Sequence, residues 1–523
     1  MAATTSSSTI ILIGGCAVTN EQQSVPADPS GAQGLQLGSG NTQFNLWLQE
    51  RQLDAQRVEA LNASAAASYV AKLSAEDAAF VLATATASAS AGVLRVLLSR
   101  NKDKNLAIAI MTRINRIKAQ ELVAAIGPAA AELELLPQAA EAIAEYEDTG
   151  IPELGEPTGG IALASESPQR TRGYYQNFQD GQIHWSVRGG VQPTRGANAV
   201  YHIGLGGSGS RLGFPLTPDM PTRRSPFGTD GSYQRFESSW NYDDEICERL
   251  GLQCGATVYW CEAYGAHATW GGIGEYYETN GGTGGPLGFP TSDETDVGPS
   301  RREAGPGTVG WSQRFEGGTV YYTDKMKAII VPSPIAEHHD GHGGVTGSLG
   351  FPVSPELPAA ESPNETAGRF QRFEAIRDYP RDIVDRWSDA EGQGGVTIYI
   401  SEAHGAHCVG WGNGRLYEKL GGSGSWLGFP LSDEIRINTS GSEPRGTIQE
   451  FEGGSIYFKK KYGSVPVTRQ ITDFLKQHEE LGQRLGFPVK EERPLDPERK
   501  EIVQFFEHGV VTIRTGMIEA WFR

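Results

Sequence analysis

"LGFPTSDE" occupies residues 287–294, and close copies stand at four other places: "LGFPLTPD" at 212, "LGFPVSPE" at 349, "LGFPLSDE" at 427 and "LGFPVKEE" at 485. A second phrase, Q-x-F-E or a near variant, occurs six times: "QNFQ" at 176, "QRFE" at 234, 313 and 371, "QEFE" at 449 and "QFFE" at 504. After each comes a short β-type run: "QIHW" at 182, "TVYW" at 257, "TVYY" at 319, "TIYI" at 397, "SIYF" at 455 and "VVTI" at 510. The phenylalanines at 178, 236, 315, 373, 451 and 506 are 58, 79, 58, 78 and 55 residues apart. Self-similarity at such a period marks a repeat array. Its alternating length comes from extra segments in the second and fourth units, so the array reads as a duplicated pair. "LGEP" at 154–157 is a degenerate copy ahead of the first Phe, and a lone strand follows the last LGFP. Partial units at both ends suit a ring that closes on itself or an open stack with caps.

Within the phrase, Leu and Phe read as buried anchors, Gly as a positive φ or close backbone approach, and Pro as the end of an extended segment. On this reading Phe214, Phe289, Phe351, Phe429 and Phe487 are structural repeat residues. An acid sits seven residues after each Leu: Asp219, Glu294, Glu356, Glu434 and Glu492. One carboxylate per unit fits five equivalent caps better than a catalytic pair, which needs two acids within several ångströms. The Gly-rich lead-ins lack the Lys of a phosphate loop, and no G-x-S-x-G elbow occurs. His267 and His407, matched in "GAH", read as satisfied structural imidazoles. "HHDGH" at 338–342 reads as an exposed polar loop, so no metal and no cofactor is expected. Aromatic rings beside Gly-rich loops offer faces for a sugar to stack on: Trp185, Trp260, Trp270, Tyr322 and Trp411 are the glycan-binding candidates, with packing between units as the alternative for each.

Composition narrows the function. A net charge of −18 argues against a nucleic-acid partner, and a length of 523 residues asks for more than one core. The apolar run "IILIG" at 10–14 is too short to span a membrane. The segment before Cys16 has a lipoprotein-like end but no basic start, so the chain reads as cytoplasmic, with the cell envelope as the alternative. Residues 1–34 read as a disordered tail and 48–148 as a small all-α domain, Ala-rich and nearly free of Gly. Ser74 with Asp77 forms a capping pair there. Residues 150–523 are the mainly β repeat domain.

These phrases together resemble the LGFP repeat family, whose unit runs roughly F-x-G-G-x-I-Y-W, G-A-H, then G-G-x-x-G-x-LGFP-T-S-D-E. The second unit follows it from "RFE" to "LGFPTSDE" apart from its insertion, while the third and fifth lack G-A-H. The resemblance implies five repeats in a closed pseudo-fivefold ring, and attachment to cell-wall polysaccharide in mycolic-acid bacteria. Residues 35–47, "LQLGSGNTQFNLW", resemble a bacterial RHIM-like amyloid signalling motif through Gln36, Gly38, Asn41, Gln43, Asn45 and Trp47. A small hairpin around "GSGN" is the alternative. The expectation is therefore a multidomain, non-enzymatic recognition protein. Its repeats would bind cell-wall polysaccharide or a peptidoglycan fragment, and residues 35–47 would drive self-association. An exported wall-anchoring protein without a signalling role is the competing reading.

Overall fold

The computed structural model describes residues 12–13, 16–17 and 39–523, less 132, 150–153, 304, 378–394, 438–445, 497–500 and 515–516. The tail expected over 1–34 lies almost wholly outside the described residues, as do Gln36 and Gly38. The chain divides into two compact units, the first made of Met1–Pro221, Ser232–Asn241 and Leu250–Val258. Thr222–Gly231, Tyr242–Arg249 and Tyr259–Arg523 make up the second unit.

In the first unit, short helices follow one another: α1 (Ser39–Ala60), α2 (Ala63–Val70), α3 (Ala75–Thr84), α4 (Ala87–Ser99), α5 (Lys104–Met111), α6 (Arg116–Ile126) and α7 (Leu136–Asp148). Side-chain caps start four of them. Asn62, Ser74, Thr86 and Asn115 each accept a hydrogen bond from the N–H three residues on, satisfying an otherwise orphaned donor. The apolar pairs Val81-Leu82, Val93-Leu94 and Ile110-Met111 are buried at the centre. That core continues without a break into the first sheet, through Leu154, Tyr174, Phe178, Ile183 and Trp185. Neither a hairpin nor an extended ladder forms at residues 39–47: they open α1, whose Trp47 donates to Asp77 at 2.8 Å and packs on Phe80 at 4.9 Å. A helix satisfies its backbone internally, whereas an isolated hairpin is marginal in water.

The repeats build six four-stranded antiparallel sheets, where the sequence had indicated five repeats and partial ends. The "LGEP" copy opens the first sheet, whose strands are Ala162–Leu163, Gly173–Phe178, Gly181–Ser186 and Gly190–Arg195. The last LGFP opens the sixth, with Pro488–Asp496, Glu501–Phe506, Gly509–Arg514 and Met517–Phe522. Strand 509–514 lies between its own neighbours, 501–506 and 517–522. Among the described residues every sheet is open, and no closed barrel forms. In the first five sheets the Pro of LG(F/E)P bridges to the Phe of Q-x-F-E, as in Pro352 to Phe373 and Pro430 to Phe451.

The two phrases meet through one carboxylate. The LGFP glycines all have positive φ, from 65° at Gly288 to 76° at Gly486, and a Cβ at Gly428 would lie 2.1 Å from Glu452 Oε2. With no Cβ there, the Glu of Q-x-F-E accepts the N–H of the LGFP Phe: Glu237 from Phe214 at 3.3 Å, Glu316 from Phe289 at 2.8 Å, Glu374 from Phe351 at 3.3 Å, Glu452 from Phe429 at 2.9 Å and Glu507 from Phe487 at 3.0 Å. In the first four junctions the second oxygen of the acid takes a threonine hydroxyl two residues before the second strand of the preceding sheet: Thr171, Thr229, Thr308 and Thr366. At the last junction that position is Pro444, and Lys459 pairs with Glu507 instead, at 2.6 Å.

Two further contacts repeat, the first at all five junctions and the second at four, since Gln504 donates to Lys490 and Phe505 of its own unit. The LGFP Phe lies over the glycine that starts the previous sheet's second strand; a Cβ at Gly368 or Gly446 would come within 2.5 Å of the Phe429 or Phe487 ring. The Gln of Q-x-F-E is almost fully buried. Its amide donates to the outer strand of the sheet before and to the loop of its own unit, as Gln371 does to Ile330 and Ser354 and Gln449 to Cys408 and Ser432. Gln176 of the first sheet has no sheet before it and faces Glu147 of α7. The helical region thus covers the edge that a preceding repeat would cover.

Two predictions follow from the junction. Phe429→Ala removes a buried ring (1% exposed) and should cost about 3–5 kcal/mol, read by chemical or thermal denaturation. The second concerns Glu452. Burial alone would raise its carboxyl, but bonds from Thr366, Ser362, the Phe429 N–H and His404 carry it below the ordinary value. A depressed carboxylate stabilises the fold above its unfolded pKa and loses that contribution as pH falls through the folded one. The gap in melting temperature between wild type and Glu452→Gln should therefore be widest at neutral pH and shrink below about pH 4.3. A gap that stays constant into acid contradicts this account.

Candidate functional site

The five acids after LGFP stand one per unit, and four of them are occupied by helix starts. Asp219 and Glu434 accept from Asn198 and Asn413 at 2.9 and 3.1 Å, in the first turns of α8 (Gly196–Gly204) and helix Trp411–Leu420. Glu294 accepts the indole N–H of Trp270 at 3.0 Å, and Glu492 the backbone N–H of Thr468 at 2.8 Å. Negative charge is favourable at a helix N-terminus. Glu356 instead pairs with Arg369 at 3.1 Å.

The five aromatic candidates are spread over four units. Trp185 is buried at 3% exposure beneath the helical region, so no sugar reaches its face. The indole of Trp270 is tied to Glu294 at the start of α10 (Gly271–Thr279), the helix after α9 (Asp244–Leu250), and Trp260 is half-buried. Tyr322 packs beside Trp311 at 6.1 Å and against Gly272, where a Cβ would meet its ring at 2.0 Å. Trp411 is the most open, at 42% exposure.

A groove of about 610 Å³ does occur within one unit, between the third sheet and the end of α11 (Ser333–Gly341). Ser292, Thr295, Asp296, Ser312, Arg314 and Asp340 line it, and Arg314 and Asp340 pair at 2.7 Å. Side chains alternate across a strand. Arg314 and Tyr321 therefore face this groove while Trp311 and Tyr322 stand on the other side. The groove is not legible in the sequence, where aromatic rings stood out, because hydroxyls and one ion pair carry no local signature.

"HHDGH" is not a loop. Pro334 sits in the first turn of α11, and the segment forms the last turn and cap of that helix. His339 is fully buried and its Nε2 meets Gly350 O at 2.8 Å. His202 makes the same bond to Gly213, while Tyr277 and Tyr417 donate to Gly288 and Gly428. The alternation of His and Tyr repeats the alternation of unit lengths. His338 and His342 point the other way, toward Cys408 and Asp433. Burial alone would raise the Asp433 carboxyl; the imidazoles of His338, His342 and His407 and the Cys408 N–H hold it far below the usual carboxylate range instead. Burial first, and then Asp433, pushes the Cys408 thiol well above its ordinary value. His267 repeats the simpler part of this arrangement, with Asp293 at 3.2 Å and Tyr264 O at 3.0 Å.

Comparison with known families matches the LGFP repeat at residues 287–347 and 427–481. The groove's lining, residues 292–346, falls inside the first of these segments. Comparison with curated proteins gives no match. Among solved structures, one described as the extracellular domain of a one component system, BT4673 from B. thetaiotaomicron, aligns at 9% identity over 67% of this chain and 39% of that one. Its TM-score of 0.11 carries no argument.

Proposed function

We propose that the chain, a member of the LGFP repeat family through residues 287–347 and 427–481, is a non-enzymatic cell-wall-associated protein that holds an envelope polysaccharide in its repeats. The observation that carries this is the polar groove inside the first matched repeat. Its hydroxyls, carboxylates and guanidinium are the groups that bond a polyol, and they converge in one concave place. Four of the five carboxylates after LGFP serve helix starts one unit at a time and Glu356 pairs with Arg369, which supports the non-enzymatic reading. Closure of the six sheets into a ring belongs to the same proposal.

Among the described residues no helix is long and apolar enough to cross a membrane. The family match favours the envelope over the cytoplasm, and anchoring over signalling. Self-association through residues 35–47 would need α1 to unwind and Trp47 to leave Asp77 and Phe80. It remains a proposal that a peptide of residues 30–50 decides. Fibres with the roughly 4.7 Å inter-strand repeat support it, and a peptide that stays monomeric at high concentration removes it.

Binding is tested by co-sedimentation of the full chain with insoluble wall polysaccharide and, separately, with peptidoglycan sacculi. Arg314→Ala combined with Asp340→Ala should weaken retention about tenfold or more, the effect of losing charge-assisted hydrogen bonds. Both side chains are partly exposed, so the melting temperature should hardly move. Equal retention of wild type and variant would overturn the assignment to this groove.

A further inference from the structure

The cluster at the end of α11 is built from three successive units. His338 and His342 come from that helix, Cys408 from the strand Gly405–Gly410 and Asp433 from the loop after the fourth LGFP. One ligand atom from each lies within 4.8 Å of all the others. His342 Nε2 is 3.1 Å from Asp433 Oδ2 and 3.9 Å from Cys408 Sγ, and His338 Nε2 is 3.2 Å from Asp433 Oδ1. A tetrahedral ion with bonds of about 2.0–2.3 Å places its ligand atoms roughly 3.3–3.7 Å apart, which these spans straddle.

A bland reading would make this a hydrogen-bonded imidazole–carboxylate cluster. One atom speaks against it. His338 Nε2 is buried and approaches Asp433 Oδ1 to 3.2 Å, a close contact that lies off the line of a hydrogen bond and leaves the nitrogen without a hydrogen-bond partner. Buried polar atoms are satisfied in the large majority of cases, so an imidazole nitrogen aimed into a ring of donors calls for a ligand.

The repeat supplies its own control. At the positions of His338 and His342, α10 carries Tyr276 and Asn280, and helix Trp411–Leu420 carries Leu416 and Leu420. The place of Cys408 is Ala268 in the second unit and Ile330 in the third; only the acid recurs, as Asp293. The frame does not require these side chains, yet three of them meet at one junction.

We infer that His338, His342, Cys408 and Asp433 form a structural site for a divalent transition metal, zinc by preference. Imidazole and thiolate ligands suit zinc, a thiolate and a carboxylate balance its charge, and four protein ligands close the shell. His338 and His342 are spaced i, i+4 and so share one helix face. His407 stands outside the shell with Nδ1 3.7 Å from Asp433 Oδ1, where it orients the carboxylate. The ion's effect is to tie helix α11 to the fourth sheet and to the loop that enters the fifth. This site is independent of the polysaccharide groove.

The test uses the full chain, stripped with a chelator and titrated with zinc or cobalt(II). One equivalent of zinc should bind and raise the melting temperature, reversibly on chelation. Cobalt should give a thiolate-to-metal charge-transfer band and the intense visible bands of tetrahedral coordination. Cys408→Ser should abolish the charge-transfer band, while Cys261→Ser should leave it intact. Should Cys408→Ser fail to fold, His342→Ala, with its weakened binding and altered visible bands, takes its place. Wild-type protein that binds no stoichiometric metal would overturn the inference, as would a band that survives Cys408→Ser or disappears with Cys261→Ser.

Discussion

One glutamate carboxylate holds each junction together. It accepts a backbone N–H from the LGFP loop with one oxygen and a threonine hydroxyl with the other, and it reaches both only because the preceding residue is a glycine with no Cβ in its path. Take that acid away and a buried N–H loses its acceptor at the point where the next phenylalanine enters. The Phe fixes the spacing between sheets, and the acid fixes the loop that carries the Phe. The glutamine two residues before the Phe then ties the outer strand of one sheet to the loop of the next. The three contacts depend on one another, so the two phrases recur as a pair.

The ends of the array show the same logic under substitution. At the last junction a proline replaces the threonine, and Lys459 brings its ammonium to Glu507. In the first unit a Glu stands in place of the LGFP Phe and a Gln in place of the acid, and Gln179 Oε1 accepts the N–H of Glu156 at 3.3 Å. The bond survives with both partners changed. Where no sheet precedes, α7 presents its apolar face, so a helical region completes what a repeat would otherwise complete.

Function has to be laid on this frame without disturbing it. The conserved-looking phrases are consumed by packing, which leaves binding to residues that vary between units: the hydroxyls and ion pair of the groove, and the histidines and thiol near Asp433. This is why the aromatic candidates chosen from sequence divided as they did. Trp185 went to the core and Trp270 to a helix start, because flat apolar rings are also what a junction buries.

Much of the architecture was legible without coordinates. The period, the β runs, the helical domain over 48–148, the buried Phe and the role of Gly in LGFP all follow from local sequence, because periodicity and steric permission are local properties. The count of six sheets was not legible: degenerate "LGEP" pairs like its five relatives only once a strand from later in the chain lies beside it. The state of residues 39–47 also lay beyond the sequence. Alternating amides permit a ladder or a helix, and here the contact of Trp47 with Asp77 and Phe80 selects the helix. Least legible was the convergence of His338, His342, Cys408 and Asp433. They span 96 positions of chain and become neighbours only because three repeat units stack at a fixed spacing, which is a property of tertiary structure alone.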